Sequence, residues 1–299
     1  MSSETTSDAR LPQETEQPSR LERTLAVLRS DRMGMAGLVI FTALLFIAIF
    51  APVLAPYDPT ATNYAAVFQA PSSQHLLGTD ASGRDIFSRL LYGTRPAFYV
   101  GLSSAFVVAI IGTAVGVVSG YYGGLVDEVL MRTVDFLYGV PFLPFVIMLV
   151  TLWEPSIFTL LIALWLLLWR GTARVVRSHT LTLKEKPFIK SAKAAGASDF
   201  RILVKHITPN VLPLSFLYGS FAIGWAILTE ANISFLGFGD PTLISWGQML
   251  LEAKLRHALI RDAWWWIIAP GFMIMITIVS VFAIARGYEE ELDPTLEDR

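Results

Sequence analysis

Long stretches without charge constrain this chain's fold more than any other feature. Residues 35–55, the first of them, run 21 residues with no charged side chain. About 20 apolar residues in helix cross a bilayer core. In hydrocarbon a backbone must satisfy its own polar groups, so such stretches become helices. Spans are expected at 35–55, 97–119, 134–153, 157–176, 212–236 and 264–285, giving an all-α membrane protein with six transmembrane helices. The fourth is the weakest. Its wholly apolar part, 157–169, is 13 residues long. It reaches spanning length only if the helix continues past Arg170 and Arg174 with their side chains snorkelling. Before it, Trp153-Glu154-Pro155-Ser156 reads as a tight turn between antiparallel helices.

Composition agrees. The 299 residues are 54% hydrophobic and 16% charged, against about 25% charged in soluble domains. With no cysteine, disulfides, thiolate metal sites and cysteine nucleophiles are excluded. His75, His179, His206 and His257 lack metal-ligand spacing, and the net charge of -2 argues against a nucleic-acid partner. No GxxxxGK[ST], HExxH or GxSxG sequence occurs, so neither an ATP site nor a hydrolytic centre is expected here. Any energy must come from a partner.

The N-terminal tail, 1–34, is read as cytoplasmic. Residues 1–19, rich in Ser, Thr, Glu, Gln and Pro, are expected to be disordered. Over 20–34, Arg20, Arg23, Arg29 and Arg32 alternate with Leu21, Leu25 and Leu28 as in an interfacial amphipathic helix. The apolar run starts too late and lasts too long for a secretory signal. The remaining divisions are 35–96 (first crossing and outer loop), 97–286 (core, with a loop at 177–211) and an acidic tail, 287–299. An inside N-terminus puts seventeen Lys and Arg on inner segments and six on outer ones, as the positive-inside rule requires. Both termini are then cytoplasmic in a multi-pass cell-membrane protein, with Trp264, Trp265 and Trp266 at the outer interface. Gly112, Gly116 and Gly120, extended by Ala105 and Ala109, form a stripe suited to close helix packing. It serves either as a fixed contact or as a sliding face.

Residues 170–210 hold nine of the 23 Lys and Arg. Helices are expected at 188–195 and 198–205, broken at Gly196, with Ser198 and Asp199 as an N-cap signal. Pro209 and Pro213 punctuate the return to the membrane. The product is a short helical hairpin between two membrane helices. It could be a handle for a cytoplasmic partner, or a solvated surface whose Lys184, Lys186, Lys190 and Lys193 face anionic lipid. Glu230 and Asn232 sit within an apolar stretch, where a carboxylate usually faces a cavity or the bundle interior. They are expected to line a pathway, the alternative being a hydrogen-bonded pair that locks packing. Asp135 is expected to pair with Arg132 or a loop residue. Asp80, Arg84, Asp85 and Arg89 are spaced to satisfy one another.

The stretch KSAKAAGASDFRILVKHITPN resembles the loop of ABC-importer membrane subunits, which reads Glu-Ala-Ala, three residues, Gly, nine residues, then Ile-x-Leu-Pro. Gly196 and Pro209 fall in register. Lys190 stands where Glu is usual, Ser191 where the first Ala is, and Ala192 matches the second. His206 replaces Ile and Thr208 replaces Leu. HLLGTDASGRDIFSRLLYGTR, GYYGGLVDEVLMRTVD and ILTEANISFLGFGDPTLISWGQML resemble, in order and spacing, the second permease subunit of dipeptide, oligopeptide and nickel importers. The likeness covers roughly residues 20 to 285. ARGYEEELDP departs from the family's tail, and the connection after Gly239 is short.

The resemblance implies a type I importer permease with a cytoplasmic coupling helix. The ATPase-coupling loop would use Lys190, Ser191, Ala192, Ala195, Gly196, Asp199, Arg201, His206 and Pro209. The implied partners are a homologous permease, two cytoplasmic ATPase subunits carrying ATP and Mg, an extracytoplasmic binding protein, and lipid. Lying outside after the first crossing, Asp80, Arg84 and Asp85 could alternatively belong to an interfacial helix that receives the binding protein, with Trp246, Arg256 and Arg261 of the second outer loop as further candidates. Peptide is the leading cargo, with nickel chelates or oligosaccharides as alternatives. An ion-coupled secondary transporter would usually show internal repeats, and none is visible. A membrane-embedded hydrolase would need a catalytic constellation.

Overall fold

A computed structural model describes residues 31–292; the expectations for 1–30 and 293–299 lie outside it. Among the described residues the chain is helical apart from its connections. Helix α1, Arg32–Leu54, starts where the Asp31 carboxylate accepts from the Met33 and Gly34 amides at 2.9 and 2.7 Å, a side-chain N-cap. A long connection carrying one 3-10 turn, Tyr64–Ala66, leads to α2, Ile86–Tyr122.

Helix α2 starts eleven residues before the expected 97. The Asp85 side chain caps it by accepting from the Ser88 amide at 2.7 Å, and Pro96 is carried inside it. Its 37 residues reach about 55 Å, well beyond an apolar core of about 30 Å. It is the axis of the molecule. A Cβ on Gly112, Gly116 or Gly120 would come within 2.6–2.7 Å of side chains or backbone around Thr172, Ala173, Val176 and Thr180. The glycine stripe therefore seats the helix that carries those residues at backbone-to-backbone range.

The expected single span at 134–153 is two helices. α3, Gly124–Gly139, and α4, Phe142–Leu152, meet at an 85° bend. Pro141 cannot donate to the preceding turn and pushes Val140 into extended backbone. Among the described residues, five helical runs are therefore long and apolar enough to span, or six if the bent pair counts as one. After Leu152, Ser156 caps α5, Ile157–Leu167, by accepting from Thr159 N at 3.2 Å. α6, Trp169–Lys184, follows almost without a break, and the pair makes one 28-residue span, longer than the expected 157–176.

Two short helices follow, α7, Pro187–Ala194, and α8, Asp199–Ile202. The second does not run to 205 as expected. It passes through a wide turn, Leu203–Ile207, straight into α9, Thr208–Phe235. α10, Trp246–Leu255, and α11, Trp265–Leu292, complete the chain. Residues 287–292 of the acidic tail are thus helical. α9 ends in a two-bond cap, Phe238 N to Ile233 O and Gly237 N to Ser234 O, with Gly237 at φ +90°.

Apolar packing is layered along the bundle. Ile86, Leu90, Trp246, Met249 and Trp266 fill one end, Val146, Leu161, Leu164 and Ile233 the middle, and Val117, Val176, Ile202 and Ile207 the other end. Phe46, Ile49, Phe106 and Phe216 face outward and exposed, as lipid-facing positions do. The three tryptophans split. Trp264 is exposed, whereas Trp265 and Trp266 are buried, and the Trp265 indole N–H donates to Thr79 C=O at 3.4 Å. Successive helical positions are about 100° apart, and the connection after α1 covers the inward ones.

Candidate functional site

The hairpin between α6 and α9 has a buried base and an open tip. Ile189, Ile202, Leu203 and Ile207 are buried against Val117 of α2 and Val176 of α6. Four apolar anchors of this kind are worth about 1.5–3 kcal/mol each when fully buried, enough to hold the loop as part of the bundle. The tip is shaped by Gly196. Ala197 N bonds to Ala192 O at 3.1 Å and Gly196 N to Lys193 O at 3.0 Å. That pattern closes α7 and requires a left-handed residue, and Gly196 has φ +82°. A Cβ there would meet nothing within 4 Å, so the bend stands clear of the rest of the chain. Ser198 then caps α8, its hydroxyl accepting from Arg201 N at 3.4 Å.

Lys190, Ser191, Ala195, Gly196, Asp199 and Arg201 are exposed, while Ala192, His206 and Pro209 are half-buried. The hydrogen bond and charge of Lys190, 3.0 Å away, hold the Glu185 carboxyl below its ordinary value. Asp199 is not a free tip residue: it accepts from the Tyr121 hydroxyl at 2.6 Å, at the end of α2. Close by, Arg177 of α6 grips Asp127 of α3 through two bonds of 2.5 Å. Ser119 donates to the same carboxylate, and Lys184 Nζ donates to Gly120 C=O at 3.0 Å. The loop is thus tied to α2 and α3 as well as to its own flanking helices. Phe188 and Phe200, exposed on its outer side, were not singled out from the sequence, although aromatic side chains on a solvent-facing helical hairpin are a docking signal.

Asp135 pairs with Arg174 of α6 at 2.8 Å, not with Arg132 or a loop residue. Arg170 donates to the Leu137 carbonyl, and the Arg170 and Arg174 guanidiniums lie 4.6 and 4.3 Å from the Tyr138 ring centre. Two turns of α6 thereby hold the bend between α3 and α4.

At the opposite end, the residues expected to receive a protein are largely internal. Asp80 is fully buried and accepts from Arg84 Nε and Arg89 Nη1, each at 2.6 Å. Glu252 of α10 bonds to the same two guanidiniums. Asp85 is buried by its capping of α2 and by His75 Nδ1 at 2.9 Å. Residues 80–84 form a turn, with Gly83 N bonded to Asp80 O and Asp80 N to Arg84 O, each at 3.0 Å; Gly83, at φ +71°, packs so closely on the Asn63 backbone that no Cβ fits. Trp246 is 1% exposed, slotted over Gly93, with its indole N–H donating to Leu90 C=O at 3.0 Å. It offers no surface to a partner. Arg84 keeps a partly exposed edge.

Glu230 and Asn232 do not share a face. Asn232 is exposed. Glu230 is 6% exposed, and the Ser234 hydroxyl donates to it at 2.8 Å. The void beside Glu230 is about 10 Å³, too small to hold a cargo in this arrangement of the helices. Two positions on a helix lie about 200° apart, which separates the pair.

The chain matches the family described as binding-protein-dependent transport system inner membrane component over residues 112–293. Residues 19–71 match the N-terminal TM domain of oligopeptide transport permease C. It is 34% identical over 270 residues to the dipeptide transport system permease protein DppC of Bacillus subtilis (strain 168), covering 90% of this chain and 84% of that one. To the oligopeptide transport system permease protein OppC of the same organism it is 37% identical over 269 residues, covering 90% and 87%. To the glutathione transport system permease protein GsiD of Pectobacterium atrosepticum it is 36% identical over 272 residues, covering 90% and 89%.

Proposed function

The chain belongs to the family of binding-protein-dependent transport system inner membrane components and is a permease subunit of an ABC transporter; from that premise we propose how it is placed, what moves it and what it carries. It is one of two homologous permeases in a type I importer, with the 185–207 hairpin inside the cell and the Asp80–Glu252 end outside. The charge bias of the connecting segments supports that orientation. The cargo is peptide. Relatives named for dipeptide, oligopeptide and glutathione transport support this reading.

The observation that carries the mechanism is the bend at Gly196, open on a buried base. A cytoplasmic ATPase subunit grips the tip near Ala195, Gly196, Phe188 and Phe200. When two ATPase subunits close on ATP, the hairpins are pulled, and the apolar base passes the movement to α6 and α9. Tyr121–Asp199 and Arg177–Asp127 carry it to α2 and α3, and the Arg174–Asp135 pair to the bend before α4. ATP-bound closure must favour one arrangement of these helices by differential contacts, since otherwise nothing is coupled. The binding protein reaches the outer end through groups that the fold leaves exposed there, including Arg256 and Arg261.

Deleting residues 194–199 in the assembled importer is the test. Uptake should fall to background while the subunit still inserts and assembles. Uptake at the wild-type rate would refute the coupling assignment.

A further inference from the structure

Between α9, the bend before α4 and the α5–α6 junction lies an open cavity of about 500 Å³, within the range of small-molecule sites, roughly 300–1,000 Å³. Its walls include Tyr138, Phe142, Tyr218, Phe221 and Trp225, and one charged side chain, Arg170, reaches it. Arg170 lies midway along the Ile157–Lys184 span, where a cation is costly and pairs with an anion or with a backbone carbonyl. Its neighbours on α6 pair with anions, Arg174 with Asp135 and Arg177 with Asp127. Among the described residues Arg170 has no carboxylate at ion-pair distance; its one hydrogen-bond acceptor is the Leu137 carbonyl. A guanidinium carries five N–H donors, so most of the fork remains for a ligand. The Tyr138 ring on which it stacks holds it in place.

We propose that this cavity is a transit site for the C-terminal carboxylate of a peptide, received by Arg170. The inference rests on the peptide-importer reading and specifies where in the bundle the cargo is held. A carboxylate is the group that all unmodified peptides share at one end, and a planar fork accepts it in bidentate fashion. The aromatic walls accept varied side chains without hydrogen-bond demands of their own, apart from the tyrosine and tryptophan polar tips. One partly exposed cation suits transit, since binding must be favourable enough to enter and weak enough to leave.

The test uses the complete importer in proteoliposomes, with the loaded binding protein saturating, and compares Ala-Phe-Ala with its C-terminal amide. Wild type should take up the free acid about tenfold faster than the amide, a ratio worth about 1.4 kcal/mol. Arg170→Gln should slow the acid to the amide's rate while leaving ATPase stimulation by the binding protein intact. Arg170→Lys, which keeps the charge but loses the fork, should retain an intermediate ratio and serves if the Gln variant fails to assemble. An acid-to-amide ratio unchanged in either assembled variant overturns the site. So does a free acid slowed only in step with ATPase, which would mark Arg170 as a clamp on the α3–α4 bend. Wild type moving neither peptide overturns the cargo reading instead, and the site with it.

Discussion

The two ends of this permease treat charge in opposite ways. At one end Asp80, Arg84, Arg89 and Glu252 close on one another, with Asp80 and Arg89 almost wholly buried. At the other end Lys190, Arg201 and the backbone around Gly196 stand exposed on a base of buried isoleucines. The Asp80–Glu252 cluster is consumed in holding the 78–85 turn and the start of α2 to α10. The hairpin invests its burial in the base and leaves the bend at Gly196 free. Charge spacing alone does not separate these cases; burial of the groups and of their supports does.

The largest expected effect is in the Asp80–Glu252 cluster. Arg89→Ala leaves Asp80 and Glu252 with only the partly exposed Arg84 between them, and removing one partner of a buried ion pair costs about 3–5 kcal/mol. Thermal denaturation of the purified subunit in detergent should show a large downward shift. A midpoint within error of wild type would mean that the cluster is solvated, and the contrast between the ends would disappear.

Gly196→Val should do the reverse, costing about 1–2 kcal/mol for a left-handed non-glycine residue but cutting uptake at least tenfold. The comparison of denaturation midpoint with transport rate decides it. Loss of uptake merely proportional to loss of folded protein would make the tip structural. Tyr121→Phe removes only the bond to Asp199, a net contribution of about 0.5–1.5 kcal/mol. Two- to threefold less peptide moved per ATP hydrolysed is expected, and an unchanged ratio would remove α2 from the coupling path.

Smallest of all is Lys190→Ala. Its pair with Glu185 is exposed on both sides, and such pairs contribute little. Because Glu185 is held below its ordinary value, any stabilisation is present above the usual carboxylate range and lost as pH falls through the lowered value. Since the pair contributes little, the stabilities of the two proteins should superimpose at every pH. A wild-type advantage present above about pH 4 and vanishing on acidification would show that the tip is more ordered than its exposure implies.

Much of the bundle was legible because apolar length and turn chemistry act locally. The spans, the Ser156 and Ser198 caps and the break at Gly196 needed no tertiary context. The 85° bend before Pro141 was missed because α3 and α4 together have the length and hydropathy of one crossing, and the proline sits where a mere kink would also serve. The early start of α2 was hidden by Arg89 and Arg95, which read as loop residues until Asp80 and Glu252 are seen to neutralise Arg89. Trp246 reads as a docking candidate because a tryptophan in a polar connection resembles one; the slot over Gly93 that receives it is 153 residues away in sequence. Glu230 and Asn232 were paired by proximity along the chain, although helical geometry alone sets them on opposite faces.

The central claim is that force from the ATPase enters through the bend at Gly196. The chain contains no cysteine, so Ala195→Cys gives a single reactive thiol at an exposed position beside it. In inverted membrane vesicles of the assembled importer, a short bifunctional thiol reagent should join that cysteine to the nucleotide-hydrolysing subunit, with a yield that changes on adding ATP. Labelling of the same cysteine in intact cells by a membrane-impermeant maleimide, with no crosslink to an ATPase subunit, would contradict the account.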